Sequence, residues 1–232
     1  ATPDKAVLSP ENKMLLQRLA ASARCQIAIV SGRALKDLQK RVGLKNVIYV
    51  GNHGFEIAGP KINFKSLTFT GIDDIFTNIK KELNQELNKN KIKGVLIEDK
   101  GVTLSIHYRL VAAIDMHELE KLLNKVIRPY FVNEEIHIGL GKKVFEIKPP
   151  IEWNKGKAVS WLFVQRQIAL GDKKKILPIY IGDDSADEDA FKVLRNSGIT
   201  VMVGKPKISY AQYYLNNTHE VQRFLREIQK LI

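Results

Sequence analysis

The 232-residue sequence predicts an α/β protein whose parallel-sheet core is interrupted by an inserted α+β domain. Three observations carry the prediction. Short, continuous apolar and β-branched runs (Gln26–Val30, Val47–Val50, Ile176–Ile181, Ile199–Val203) alternate with segments of helical spacing, as strands buried on both faces do. From residue 61 to 148 the pattern changes to helices followed by pairs of alternating segments. Pro149-Pro150 then forms a stiff, extended joint before the α/β rhythm resumes. The limits that follow are 1–60 and 149–232 for the core and 61–148 for the insert.

Each element has its own signal. Met14, Leu15, Leu19, Ala20 and Ala23 recur at helical spacing from Pro10 to Ala23, with Ser9 as N-cap and Pro10 in the first turn. The strand 26–30 ends in Ser31-Gly32-Arg33, a helix covers Leu35–Val42, and the strand 47–50 ends in Gly51-Asn52-His53-Gly54. Ligands of parallel sheets bind beyond the carboxyl ends of the strands, where both of these clusters fall. In the insert, a polar helix (Asp73–Lys89) precedes the segments 94–99 and 102–109, joined by a turn at Asp99-Lys100-Gly101. Val102, Leu104 and Ile106 alternate with Thr103, Ser105 and His107, which predicts one buried and one wet face. A second helix (Asp115–Val126, stopped by Pro129) precedes the pair 135–139 and 143–148. The core then continues with a helix from Lys155, the strand 176–181, a helix through Leu194 and the strand 199–203. A short helical piece at Tyr210–Leu215 and a final helix, His219–Leu231, complete it.

Composition narrows the function classes. With 44% apolar and 27% charged residues the chain is neither disordered nor collagen-like. Its single cysteine, Cys25, makes no intramolecular disulfide or Cys-rich zinc site, suits a reducing cytoplasm, and is expected as a small buried hydrophobe. No uninterrupted apolar stretch approaches the roughly 18 residues of a membrane span, and the first residues carry no secretory apolar region. The net charge of +12 comes from 27 Lys and only 10 Arg, scattered along the chain. Nucleic-acid readout favours clustered Arg, so the diffuse field better suits steering of small anionic substrates. The run Lys173-Lys174-Lys175 is expected to be a solvated turn.

Ile179–Asp189 is the strongest chemical signal, with five carboxylates within the seven residues 183–189 directly after a strand. Such crowding suits a divalent cation, Mg²⁺ above all, although acids at 188 and 189 also favour a first helical turn on their own account. Ser31-Gly32-Arg33 offers a hydroxyl and backbone N–H groups for an anion, or a plain N-cap. Lys155, at a helix start, is electrostatically out of place unless a phosphate or carboxylate lies nearby. In the insert, Glu98, Lys100, His107, Arg109 and Glu146 suit a sugar's hydroxyls and a phosphate, or simple cross-strand ion pairing. Asn52 and His53 contact a ligand or cap a turn. His117, His137 and His219 show no metal spacing.

Taken together the motifs resemble the haloacid-dehalogenase-like phosphatases, and among them the trehalose-6-phosphate phosphatases. The matching blocks are Ile29–Arg33 with Asp37-Leu38, Gly51–Glu56, Glu98 with His107-Tyr108-Arg109, Glu146–Pro149, Asn154-Lys155-Gly156 and Gly182–Phe191, in the family's order. The resemblance implies a Rossmann-like hydrolase core with an αββ-repeat cap, and Mg²⁺-dependent hydrolysis of a sugar phosphate through an aspartyl-phosphate. It implies Ser31 on the phosphoryl oxygens, Lys155 offsetting their charge, and Asp183 and Asp184 on the metal. Asp187 would be a further ligand, an orienting group or a catalytic residue. Arg33, Asn52, His53, Glu98, Lys100, His107, Arg109 and Glu146 would contact substrate. Ser185-Ala186 stands where two Thr are usual, and Lys148 where Arg is common. The family's first motif, a buried strand followed by Asp-x-Asp-Gly-Thr with nucleophile and acid/base, has no counterpart in these residues. Ala1–Asp4 look like the segment just after it, so a longer functional protein is expected. The expected partner is a small sugar phosphate, with no nucleic acid, no membrane and the chain a monomer. An inactive sugar-phosphate-binding module is the alternative.

Overall fold

The computed structural model describes residues 7–65, 71–141, 143–171, 175–205 and 208–232. Ala1–Asp4 and Lys173-Lys174, for which expectations were stated, lie outside them. Two compact units divide the chain: Ala1–Ser66 with Trp153–Ile232, and Leu67–Glu152. The divisions fall a few residues beyond 61 and 148, because residues 62–65 pair as a strand within the first unit.

In the first unit, α1 (Pro10–Ala21) starts where Ser9 Oγ accepts the Asn12 N–H at 3.3 Å. β1 (Ala28–Val30) leads through α2 (Leu35–Val42) to β2 (Ile48–Gly51), parallel to it with Ala28 opposite Ile48. β2 is buried along its length, whereas β1 is partly exposed because β2 is its only partner among the described residues. β3 (Glu56–Gly59) and β4 (Ile62–Lys65) extend the sheet antiparallel. The sequence did not signal this hairpin, so this core sheet is mixed rather than parallel throughout. Cys25 is half-buried, not enclosed, and burial pushes its thiol up.

The second unit is a four-stranded antiparallel sheet with two helices on one face. α3 (Ile72–Lys89) is followed by β5 (Leu96–Asp99) and β6 (Leu104–His107), then α4 (Met116–Val132), β7 (His137–Gly141) and β8 (Val144–Lys148), in the order β5-β6-β8-β7. Phe76, Ile79 and Leu83 of α3 and Leu119, Leu122 and Val126 of α4 pack on Leu104, Ile106 and Ile147. Pro129 lies inside α4 and does not stop it. Its missing N–H gives up one bond to an exposed turn, and the helix runs on because Tyr130 packs on the core. The alternation in β6 is also not buried against wet, since Thr103 and Ser105 are both fully buried. Ser105 is flanked by Glu98 and Glu146, and Lys100, its side chain 6% exposed, reaches both.

Returning to the first unit, α5 (Lys155–Leu170) is capped by Asn154, whose side chain accepts the Lys157 N–H at 2.9 Å. β9 (Ile179–Gly182), α6 (Glu188–Leu194), β10 (Ile199–Val203), β11 (Tyr213–Leu215) and α7 (Thr218–Leu231) follow. β9 and β11 flank β10, all parallel. Residues 213–215 are therefore an edge strand and not the expected helical piece. Val201 lies opposite Tyr213, and aromatic residues favour the extended state once a partner strand offers its edge. Ala158 of α5 packs on Ile48, Val50 and Ile57, and Val159 packs on the cluster of Tyr180 and Phe191, so one helix covers both sheets. Among the described residues β1 and β9 each end their sheet, and Val30 joins both clusters. Among the described residues no helix is long and apolar enough to cross a membrane.

Candidate active site

In the first unit the polar clusters sit at the carboxyl ends of parallel strands: Ser31 after β1, Asn52 after β2, Asp183 after β9. The loop from Gly182 to Asp187 is wound around one carboxylate. Asp187 Oδ2 accepts the backbone N–H groups of Asp183 (2.9 Å) and Asp184 (3.1 Å). Its Oδ1 accepts from Lys155 Nζ and from the Tyr180 hydroxyl, each at 2.8 Å. A Cβ at Gly182 would stand 2.4 Å from that carboxylate, so only glycine lets the strand end so close to it.

The electrostatics follow from this winding. Burial alone would raise the Asp187 carboxyl, but the charge and hydrogen bond of Lys155 outweigh it and hold the group low. Burial would lower Lys155, yet Asp187 and then Asp184 raise it, so the ammonium is firmly charged. Tyr180 is driven far up, by burial first and then by Asp187, and remains a donor. Asp183 is raised by burial and then by the like charges of Asp184 and Asp187. Asp184 lies 3.2 Å from Lys155 with a side chain 55% exposed. Glu188 does more than favour a helix start: Oε1 accepts the Ser209 hydroxyl at 2.7 Å and Oε2 the Tyr210 N–H at 2.8 Å, which pins the loop beyond β10.

Ser31 Oγ accepts the Arg33 N–H at 3.2 Å, which closes a local turn after β1. The Arg33 guanidinium pairs with Asp37 at 3.0 Å. The turn Asn52–Gly54 docks on this loop, with the Asn52 N–H on Arg33 O (2.7 Å) and the His53 N–H on Ser31 O (3.1 Å). The His53 ring lies over Gly32, where a Cβ would meet ring atoms at 2.4 Å. Asn52 is buried and donates to Glu56 at 2.5 Å.

In the second unit, strand register puts Glu98, Ser105 and Glu146 side by side on one sheet face. Lys100 lies 3.5 Å from Glu146 and 4.0 Å from Glu98, His107 Nε2 is 3.0 Å from Glu98, and Lys148 is 3.5 Å from Glu146. Four of the five residues expected there thus converge. Arg109 lies past the end of β6 on an exposed turn. The sequence did not single out Tyr180 or Ser105. Tyr180 had a signal, since a phenol inside a buried strand needs an acceptor within reach.

Among the described residues no three His, Cys, Asp or Glu side chains converge as a metal cage. Asp183 and Asp184 nevertheless fit Mg²⁺, which takes one or two carboxylates and keeps water or phosphate oxygens elsewhere. The crowding that raises Asp183 is what a cation there relieves. Both oxygens of Asp187 are engaged internally, which makes it an organiser of the loop.

Comparison with known proteins agrees in fold and family. A model of the family described as trehalose-phosphatase matches residues 1–219. A rice (Oryza sativa subsp. japonica) protein described as probable trehalose-phosphate phosphatase 3 is 36% identical, over 100% of this chain and 66% of its own length. Trehalose 6-phosphate phosphatase RA3 of Zea mays is 32% identical, over 97% of this chain and 64% of its own length. The chain therefore spans just under two thirds of these relatives. The C-terminal domain of C. albicans trehalose-6-phosphate phosphatase shares the fold with a TM-score of 0.77 at 24% identity, covering 100% of this chain and 88% of that one.

Proposed function

The chain belongs to the trehalose-phosphatase family, and from that premise we propose that it works in the Mg²⁺-dependent hydrolysis of trehalose 6-phosphate to trehalose and phosphate. The observation that carries the reading is the buried Lys155 held by Asp187 beside Asp184, a charged ammonium fixed where a helix start disfavours cations. Such a group is preorganised for the charge of a phosphoryl transition state. Ser31 Oγ binds a phosphoryl oxygen through its hydroxyl proton, with Asn52 and His53 supporting its loop. Asp183 and Asp184 would hold Mg²⁺, which when bound neutralises phosphate charge and aligns the ester. Glu98, Lys100, His107, Arg109 and Glu146 take the sugar's hydroxyls, so that sugar-binding energy is used for positioning.

By resemblance to the family, the nucleophile would be a carboxylate of a strand-borne Asp-x-Asp motif, for which these residues hold no counterpart. Its oxygen attacks phosphorus, the sugar oxygen leaves with a proton from the second Asp, and water then hydrolyses the aspartyl-phosphate. Among the described residues β1 and β9 each end their sheet and Val30 joins both clusters, which supports a seat for that strand.

The test is phosphate release from trehalose 6-phosphate by the full natural protein in Mg²⁺, then with the metal chelated. Release in Mg²⁺ that stops on chelation is expected, and Asp183→Asn should abolish it together with the Mg²⁺-induced rise in Tm. Binding without release would instead favour an inactive sugar-phosphate-binding module.

A further inference from the structure

Asn52 and His53 are both left-handed, with φ of +49° and +56°. Residues other than glycine in this region cost about 1–2 kcal/mol each and persist only where their surroundings enforce the conformation. Two bonds to the Ser31–Arg33 loop hold the first half of the turn. The second half is held from the α5 side, where the Trp153 indole N–H donates to Gly54 O at 2.7 Å. Gly54, at φ +106°, sits against Ala158 and the Asn154 carbonyl, so the turn rests on the first turn of the helix that opens with Lys155. Trp153 is itself fixed by stacking on Phe64, 5.5 Å between ring centroids, which in turn stacks on Trp161 at 4.7 Å.

We infer that Trp153 is a positioning residue. Its indole N–H locks the Asn52–Gly54 turn, so that the Ser31 loop on one side and Lys155 on the other keep a fixed spacing around one phosphoryl group. Phenylalanine could supply the ring contact with Phe64 but not the donor. The inference rests on the phosphatase reading for what is positioned, though not for the lock itself.

Amide hydrogen exchange tests the lock without any turnover. In Trp153→Phe, the Asn52 and His53 amides should exchange at least tenfold faster, while Ile48, bonded to Ile27 O in the same sheet, stays within twofold. Trp161→Phe, which keeps the donor, should leave all three unchanged. Where Trp153→Phe folds poorly, benzothienylalanine at 153 in the Trp161→Phe background keeps ring size and removes only the N–H, and the same acceleration is expected. Unchanged exchange at Asn52 and His53 in either folded variant overturns the inference. In the full natural protein, Trp153→Phe should lower kcat about tenfold on trehalose 6-phosphate with KM within twofold. Loss of KM alone counts against positioning. A wild-type protein that does not hydrolyse trehalose 6-phosphate would defeat the functional reading and leave the exchange result standing.

Discussion

Asp187 accepts four donors and Lys155 serves two carboxylates, all close to the end of one strand. Removing one partner of a buried pair strands the other, at about 3 kcal/mol. Asp187→Asn should therefore lose about that much stability in urea unfolding. Adding Lys155→Met should cost less than the sum of the two single losses, because the stranded ammonium is gone; additive losses would mean the pair is not coupled. Asp37 behaves differently, since its side chain is 35% exposed. Burial raises its carboxyl, but hydrogen bonds from Arg41 and Arg33 outweigh this and hold it below the ordinary range. With the folded value below the unfolded one, its contribution is complete above about pH 4 and lost as pH falls through the folded value. Solvent screening limits it to about 0.5 kcal/mol. Asp37→Asn should show that small loss at pH 7 and less at pH 3 by the same unfolding assay. The strand-end carboxylate cluster and the helix-start lysine were visible in the sequence as local anomalies, and the structure brings Lys155 to Asp184 and Asp187. The division of labour among the acids was not legible, because it depends on which oxygen faces Tyr180 and which faces the backbone.

At the scale of elements, the first helix was readable from its Ser9 cap; Asn154 and Asn217, which the sequence did not signal as caps, also accept first-turn N–H groups. Tyr213–Leu215 was not, because three residues carry no period and β10 alone makes them a strand. The β3–β4 hairpin failed for the same reason. Pro129 misled because a proline stop assumes that nothing beyond it packs, whereas Tyr130 does. Pro129→Ala restores a helical N–H and should raise stability by about 1 kcal/mol in thermal unfolding. A loss would mean that the ring's packing outweighs the missing bond. Thr103 and Ser105 show the limit of alternation, since a polar face is wet only until a charged network closes over it.

For the whole molecule, the α/β rhythm and its interruption were visible in apolar spacing, and the two units each have their own core. The net charge of +12 falls in the first unit, because the second holds 13 Lys and Arg against 13 Asp and Glu, which suits steering of a small anionic substrate to the first. On the proposed function, residues of the first unit handle phosphate and residues of the second match the sugar. The proposed function is tested most directly by the ratio of kcat/KM for trehalose 6-phosphate to that for a small aryl phosphate. The measurement is made on the full natural protein in Mg²⁺, as wild type and as Glu98→Ala. A site built to bond hydroxyls discriminates strongly against partners lacking them, so the wild-type ratio should exceed about 100. It should collapse in Glu98→Ala mainly through loss on the sugar phosphate. A wild-type ratio near one, or equal losses on both substrates, would contradict the account.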